Sequence, residues 1–388
     1  MKIAALLASL ALALASSARA AVVEASPAAV EIPALPPSAV VSAAASIAPA
    51  PLYAPALSAP ATPAAAAAAP EPSRPAAAAP ARRAGEQARL RALFDRLDAE
   101  FPLPESSPTS AVRARIRSQL LNAARDYADP ETDLLETVAR ESDQALARIQ
   151  TRLDAGEIDP SRSLRLSADD ASPADAGHVR VGVYPVAADP FQWGHLLVAL
   201  RAVGELGVDK VVFVLAGDDP RKPTMTPVAD RHPMGREVLD LFAPFFAYSP
   251  IAVGTTLDGE TNIFRLLALN ADRRVDAWYM VGDDHYRLVD KNGNPDTLPK
   301  LEANFARPEM GHSPTLHALK VAFIRREGIA QAIPTPLDVS FLDANGFDAS
   351  STQVRNGRHA LMPHAAYDYA RRRALGLYGL TPAADGGQ

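Results

Sequence analysis

From Val179 onward, short apolar runs alternate with segments of helical period, and this alternation constrains the fold more than any other feature. "VRVGVYPV" precedes the helical "WGHLLVALRAVGEL", and "DKVVFVLA" precedes a loop and a helix expected over 233–242. "FFAYS" is followed by the helical "TNIFRLLALN", then by "DAWYMVG", and later by "DVSFLDA" with two further helical segments. Strands alternating with helices join in parallel through right-handed crossovers, which predicts an α/β fold with a doubly wound parallel sheet of the Rossmann-like kind. Such sheets bind ligands beyond the carboxyl ends of their strands. The chemistry is therefore expected in the loops after Val186, Ala216, Val281 and Asp343.

The preceding residues divide into four further stretches. Residues 1–20 place Lys2 before a short apolar run and end in Ala18-Arg19-Ala20, the pattern of a cleavable secretory signal peptide. The apolar run is shorter than the roughly 20 residues that span a bilayer. The expectation is export to a periplasmic or extracellular compartment without membrane attachment after cleavage, and a cytoplasmic location if the signal is not used. Residues 21–84 are dominated by alanine and proline, which bury too little surface to offset ordering, so a disordered spacer is expected. Residues 85–155 are helical in period, with Leu90, Leu93, Phe94 and Leu97 on one face and Val112, Ile116, Leu120 and Tyr127 on a second segment. A third helix is expected to start at Asp129-Pro130, and 156–178 reads as a linker to the α/β domain at 179–380.

A net charge of -6 argues against a broad nucleic-acid-binding surface. With no cysteine there is no disulfide, thiolate metal site or cysteine nucleophile. His285, His312, His317 and His364 show no metal-ligand spacing.

The loops expected at the strand ends carry the polar residues. The first reads Ala188-Asp-Pro-Phe-Gln-Trp-Gly-His195 and sets Asp189, Gln192, Gly194 and His195 at a helix start, where orphan N–H groups favour an anion. The second offers Arg221 and Lys222. The third, "VGDDHY", has Gly282 for close backbone approach and Asp284 to accept from a ribose hydroxyl. The last presents Ser350, Ser351 and Thr352 before a helix that carries Arg355 and Arg358. Hydroxyls, backbone N–H groups and guanidinium together suit a phosphate.

In this order the motifs resemble the nucleotidylyltransferase superfamily with the His-x-Gly-His signature, and within it the bacterial nicotinate-nucleotide adenylyltransferases. Asp189-Pro190 and Gln192-Trp193-Gly194-His195 are similar to its first signature, and Pro220-Arg221-Lys222 to its Pro-x-Lys. Arg231 to Met234 resembles its Arg-x-x-Met, Val281 to Asp284 its Ile-Gly-x-Asp, and Ser350 to Arg355 its Ser-Ser-Thr-x-Ile-Arg. The closing helix resembles the family's ending, with Gly376-Leu377-Tyr378. Two departures stand out: Pro185-Val186-Ala187-Ala188 replaces Gly-Gly-Thr-Phe, and Gln192 replaces the first signature histidine.

The resemblance implies transfer of AMP from ATP to nicotinate mononucleotide with release of pyrophosphate. It further implies that His195 and Gln192 hold the α- and β-phosphates, that Lys222 and Arg355 hold the pyrophosphate, and that Ser351 and Thr352 hold the outer oxygens. Mg2+ would enter with ATP, bridged by phosphate oxygens and water. Two alternatives stay open: an exported, catalytically degenerate nucleotide-binding or structural module of the same fold, and transfer to a different acceptor.

Overall fold

The computed structural model describes residues 78–173, 177–220, 222–255, 259–286, 288–289, 292–325, 334–344, 349–373 and 376–380. The signal-peptide expectation at 1–20, most of the spacer and Arg221 lie outside them. Three helices come first: α1 (Ala78–Glu100), α2 (Pro108–Asp126) and α3 (Thr132–Asp154). α1 starts within the stretch expected to be spacer. Ser107 caps α2, its hydroxyl accepting from Ser110 N at 3.1 Å, with proline at the first helical position where no N–H is needed. α3 starts at Thr132 rather than at Asp129-Pro130. Glu131 takes the capping position with φ 45°, a left-handed turn that leaves Pro130 outside the helix.

The strands are β1 (Val179–Val186), β2 (Lys210–Leu215), β3 (Phe246–Ser249), β4 (Val275–Gly282), β5 (His317–Arg325) and β6 (Asp338–Asp343). They form a six-stranded sheet of order β3-β2-β1-β4-β5-β6, parallel at every pairing. The order reverses between β1 and β4, the switch point where a doubly wound sheet opens a crevice. β5 is an addition to the sequence-based reading, which had no strand there.

Neighbouring side chains of a strand serve opposite faces. Phe213 and Leu215 join the core on one side, Val212 and Val214 the core on the other. The first face is covered by α4 (Trp193–Arg201), α5 (Val228–Asp240) and α10 (His364–Arg372). The second is covered by α6 (Gly259–Leu269), the single turn α7 (Asp283–Tyr286) and α8 (Thr297–Phe305). A short α9 (Ser351–Arg355) follows the last strand. α4 passes into a π turn, Ala202–Leu206, closed by Gly207 at φ 68°, and Arg152 of α3 donates to the carbonyls of Gly204 and Glu205 at 2.5 and 2.9 Å. α5 begins before Pro233, enclosing the proline at which the sequence suggested a start.

The three leading helices form a second layer over the first face. Leu90, Leu120, Leu146 and Ile149 share one core with Phe213, Leu200 and Met362. Polar ties follow the same seam: Tyr127 Oη donates to Met362 O at 2.9 Å, Ala365 N to Gln119 Oε1 at 2.6 Å, and His364 Nε2 lies 2.7 Å from Asp126 Oδ2. Residues expected as a linker are bound as a strap on the second face. Asp159 N donates to Asp209 Oδ1 at 2.8 Å, Arg165 N to Asn270 Oδ1 at 2.9 Å, and Leu164 and Leu166 pack into the core there. Among the described residues no helix is long and apolar enough to cross a membrane.

Candidate nucleotide site at the strand ends

The carboxyl ends of β1 and β2 are bridged by one buried cation. Arg231 of α5, fully buried, donates to the carbonyls of Thr226, Ala187, Ala216 and Gly217 at 3.0, 2.9, 2.7 and 3.2 Å. Burial pulls its pKa down from the ordinary value, while Asp189 and Asp218 oppose that shift. Its neighbour His232 faces Tyr248 Oη and Ala216 O at 2.7 and 2.9 Å, and burial lowers its pKa, favouring the neutral ring. Sequence reasoning noted Arg231 only as part of a motif.

Beyond β1 the chain turns through Ala188, at φ 49°, into the buried Asp189. Arg355 Nη1 donates to Asp189 O at 2.8 Å and lies 3.4 Å from its Oδ2, while Tyr378 Oη donates to Oδ1 at 3.3 Å. Burial first, and the Asp189 charge with it, push the Tyr378 phenol well above its usual range, so it stays a donor. Arg355 Nη2 also donates to Thr352 Oγ1 at 3.1 Å, and Ser351 Oγ donates to Pro190 O at 3.2 Å. Ser350 caps α9, accepting from Gln353 N at 3.2 Å while its own N–H donates to Gln353 Oε1 at 2.9 Å. Five of the expected residues, Asp189, Ser350, Ser351, Thr352 and Arg355, thus meet at one seam. Arg358 does not join them; it pairs with Glu131 at 2.7 Å.

At the start of α4, Gln192 N donates to His195 Nδ1 at 3.4 Å. A neutral ring accepting there carries its proton on Nε2, which faces the Gln192 carboxamide nitrogen at 3.5 Å. Gln192 Oε1 is buried without a partner. Turning the carboxamide over gives the imidazole N–H an acceptor and leaves the NH2 to donate to a ligand oxygen. The ring is set by Tyr184 and Phe191, whose centroids lie 6.2 and 5.9 Å away in edge-on contacts. Gln192, Gly194 and His195 border a cavity of about 30 Å³, which has room for water and not for a base. Its far wall is Glu141 of α3, ion-paired with Arg201, so the added helical layer reaches this turn.

Lys222 and Asp284 are exposed. Lys222 sits in a turn whose N–H donates to Asp219 O at 2.8 Å. The Asp284 carboxylate folds over Gly282, where a Cβ would lie 2.2 Å from Asp284 Oδ1, so the glycine makes room for its neighbour. Among the described residues no three His, Asp or Glu side chains come together as a metal-binding group.

The fold and this seam define an α/β protein with a doubly wound parallel sheet and a polar site at its strand ends. No protein-family model matches the chain. A probable nicotinate-nucleotide adenylyltransferase of Synechococcus sp. (strain JA-3-3Ab) is 26% identical over 215 residues, covering 53% of this chain and 99% of that protein. A protein of the same description from Thermus thermophilus is 27% identical over 113 residues, 26% of this chain and 61% of its own length. The nicotinic acid mononucleotide adenylyltransferase of Plasmodium falciparum, solved with NaAD, aligns with a TM-score of 0.39 at 12% identity over 52% of this chain and 98% of its own. The curated relatives support the nucleotidylyltransferase family for this chain, at low identity.

Proposed function

We propose that the chain transfers AMP from ATP to nicotinate mononucleotide. The acceptor's phosphate oxygen attacks the α-phosphorus, and the bond to the β-phosphate oxygen breaks as pyrophosphate leaves. Such a displacement needs no covalent protein intermediate, so the protein's work is alignment and charge neutralisation. The observation that carries the reading is the placing of His195 at the first turn of α4, braced by Tyr184 and Phe191, beside the β1 end where Asp189 fixes Arg355. The Gln192 NH2 would donate to a phosphate oxygen, and His195 Nε2–H would donate to the α- or β-phosphate by exchanging its Gln192 contact for the nucleotide. Arg355, 41% exposed at its side chain, has a free flank for the pyrophosphate. Lys222 would reach the same group from the β2 loop, and Asp284 the ribose. Mg2+ would travel with ATP and supply charge neutralisation between phosphates, held by their oxygens and by water.

A second reading, a nucleotide-binding module without transfer, draws on two features. Pro185 stands within β1 where the family's glycine strand end would be, and Arg355 is already engaged by a buried carboxylate. If residues 1–20 direct export, that reading gains, because ATP is scarce outside the cytoplasm. Incubating the full chain with ATP, Mg2+ and nicotinate mononucleotide and measuring pyrophosphate separates them. Release that disappears in His195→Ala supports transfer; ATP binding without release supports the module; neither binding nor release rejects both.

A further inference from the structure

The second face of the sheet carries an open groove unconnected with His195, between the strap, the turn after β3 and the flank of α6. Its volume is about 540 Å³, within the usual range for small-molecule sites. One wall is apolar: Ile251, Val253, Ala268 and Leu269. Val253 is 46% exposed, one of few large apolar side chains so placed among the described residues. From α6, Arg265 enters the same groove, and its Nη1 is buried with no hydrogen-bond partner. A guanidinium N–H removed from water without an acceptor is costly, and an anion seated there would restore the bond.

The surroundings narrow the anion. Arg265 is the one cation among the described lining residues, and the exposed Asp169 stands on the rim. Ser167 also lines the groove, but its hydroxyl donates to Asp170 Oδ1 at 2.9 Å. A dianionic phosphate gathers several donors, whereas a single guanidinium in a groove that also holds a carboxylate suits a monoanion. We propose that this groove binds a small monocarboxylate with an apolar body, its carboxylate on Arg265 and its hydrocarbon along Ile251, Val253 and Leu269. The site is independent of the nucleotide reading and stands or falls apart from it.

The probe is octanoate, titrated calorimetrically into the full chain, with octanol and octyl phosphate as neutral and phosphorylated counterparts. Octanoate binds and octanol binds at least roughly tenfold more weakly, the worth of one charge-assisted hydrogen bond. Arg265→Ala weakens octanoate by the same factor, and Val253→Asp, at an exposed position that leaves the core intact, weakens it through the apolar wall. Binding persists in His195→Ala. Three results each overturn the proposal: no octanoate binding, octanoate binding unmoved by both Arg265→Ala and Val253→Asp, or a preference for octyl phosphate over octanoate. Should Arg265→Ala fail to fold, Arg265→Gln and Val253→Asp carry the same test.

Discussion

The two sides of the sheet's carboxyl edge are built differently. Around β1 and α9 the candidate side chains hold one another: Arg355 on Asp189, Tyr378 on Asp189, Ser351 on Pro190. At the ends of β2 and β4, Lys222 and Asp284 are exposed. Preorganised donors stabilise developing charge because they need no rearrangement, whereas an exposed lysine must be gathered by the ligand at an entropic cost. On the proposed function, the first region would be preorganised for the phosphates and the second would adapt to the ligand.

The largest effect is expected from His195→Ala, with pyrophosphate release falling by at least roughly 100-fold while ATP affinity changes far less. Equal losses in binding and turnover would place His195 among general binding groups instead. Next comes Arg231→Met, which leaves the carbonyls of Thr226, Ala187 and Gly217 without their donor, Ala216 O keeping His232, and lowers unfolding free energy by about 3 to 5 kcal/mol. Chemical denaturation measures it, and a loss below about 1 kcal/mol would mean that the strand ends hold their shape without the buried cation. Arg355→Ala should weaken ATP binding by roughly tenfold to a hundredfold. It should also cost about 1 kcal/mol of stability, since the buried Asp189 loses its guanidinium contact and keeps only the Tyr378 hydrogen bond and the nearby charge of Arg231.

A smaller effect concerns acid. Asp126, held down to about 2 first by the Arg125 hydrogen bond and then by His364, has a folded pKa below its unfolded one. Its contribution at the seam of α2 and α10 is fully present above about pH 4 and is lost as pH falls toward 2. Melting temperatures of wild type and Asp126→Asn should therefore converge at the acid end. Smallest of all, Lys222→Ala should change ATP affinity by less than roughly threefold, the scale of an exposed charge. A loss matching that of Arg355→Ala would erase the distinction between the two regions.

Much of this edge was legible in the sequence because strand ends and helix starts announce themselves locally. Asp189, His195 and the run from Ser350 to Arg355 lie where alternation and capping chemistry put them. β5 escaped because "HALKVAFIR" sets Lys320 amid its apolar positions, and that lysine rests on the Trp278 ring at 4.4 Å, a contact between strands. Arg231 stood in the sequence only as part of a motif, and its buried role escaped for a related reason. An arginine in a polar helix reads as solvated, and only the meeting of two loops with α5 supplies the four carbonyls that draw it inward. Arg358 shows the opposite limit: its partner, Glu131, lies 227 residues away in the chain.

The seam between the leading helices and the last one also dictates when the protein can finish folding. Tyr127 waits for Met362, 235 residues later, and α2 waits for α10. During synthesis Tyr127 must remain without its final partner until Met362 has emerged, and such long-range closure is slow. The leading helices therefore complete their packing only once α10 has formed, and a chain stopped short of it leaves that apolar seam uncovered.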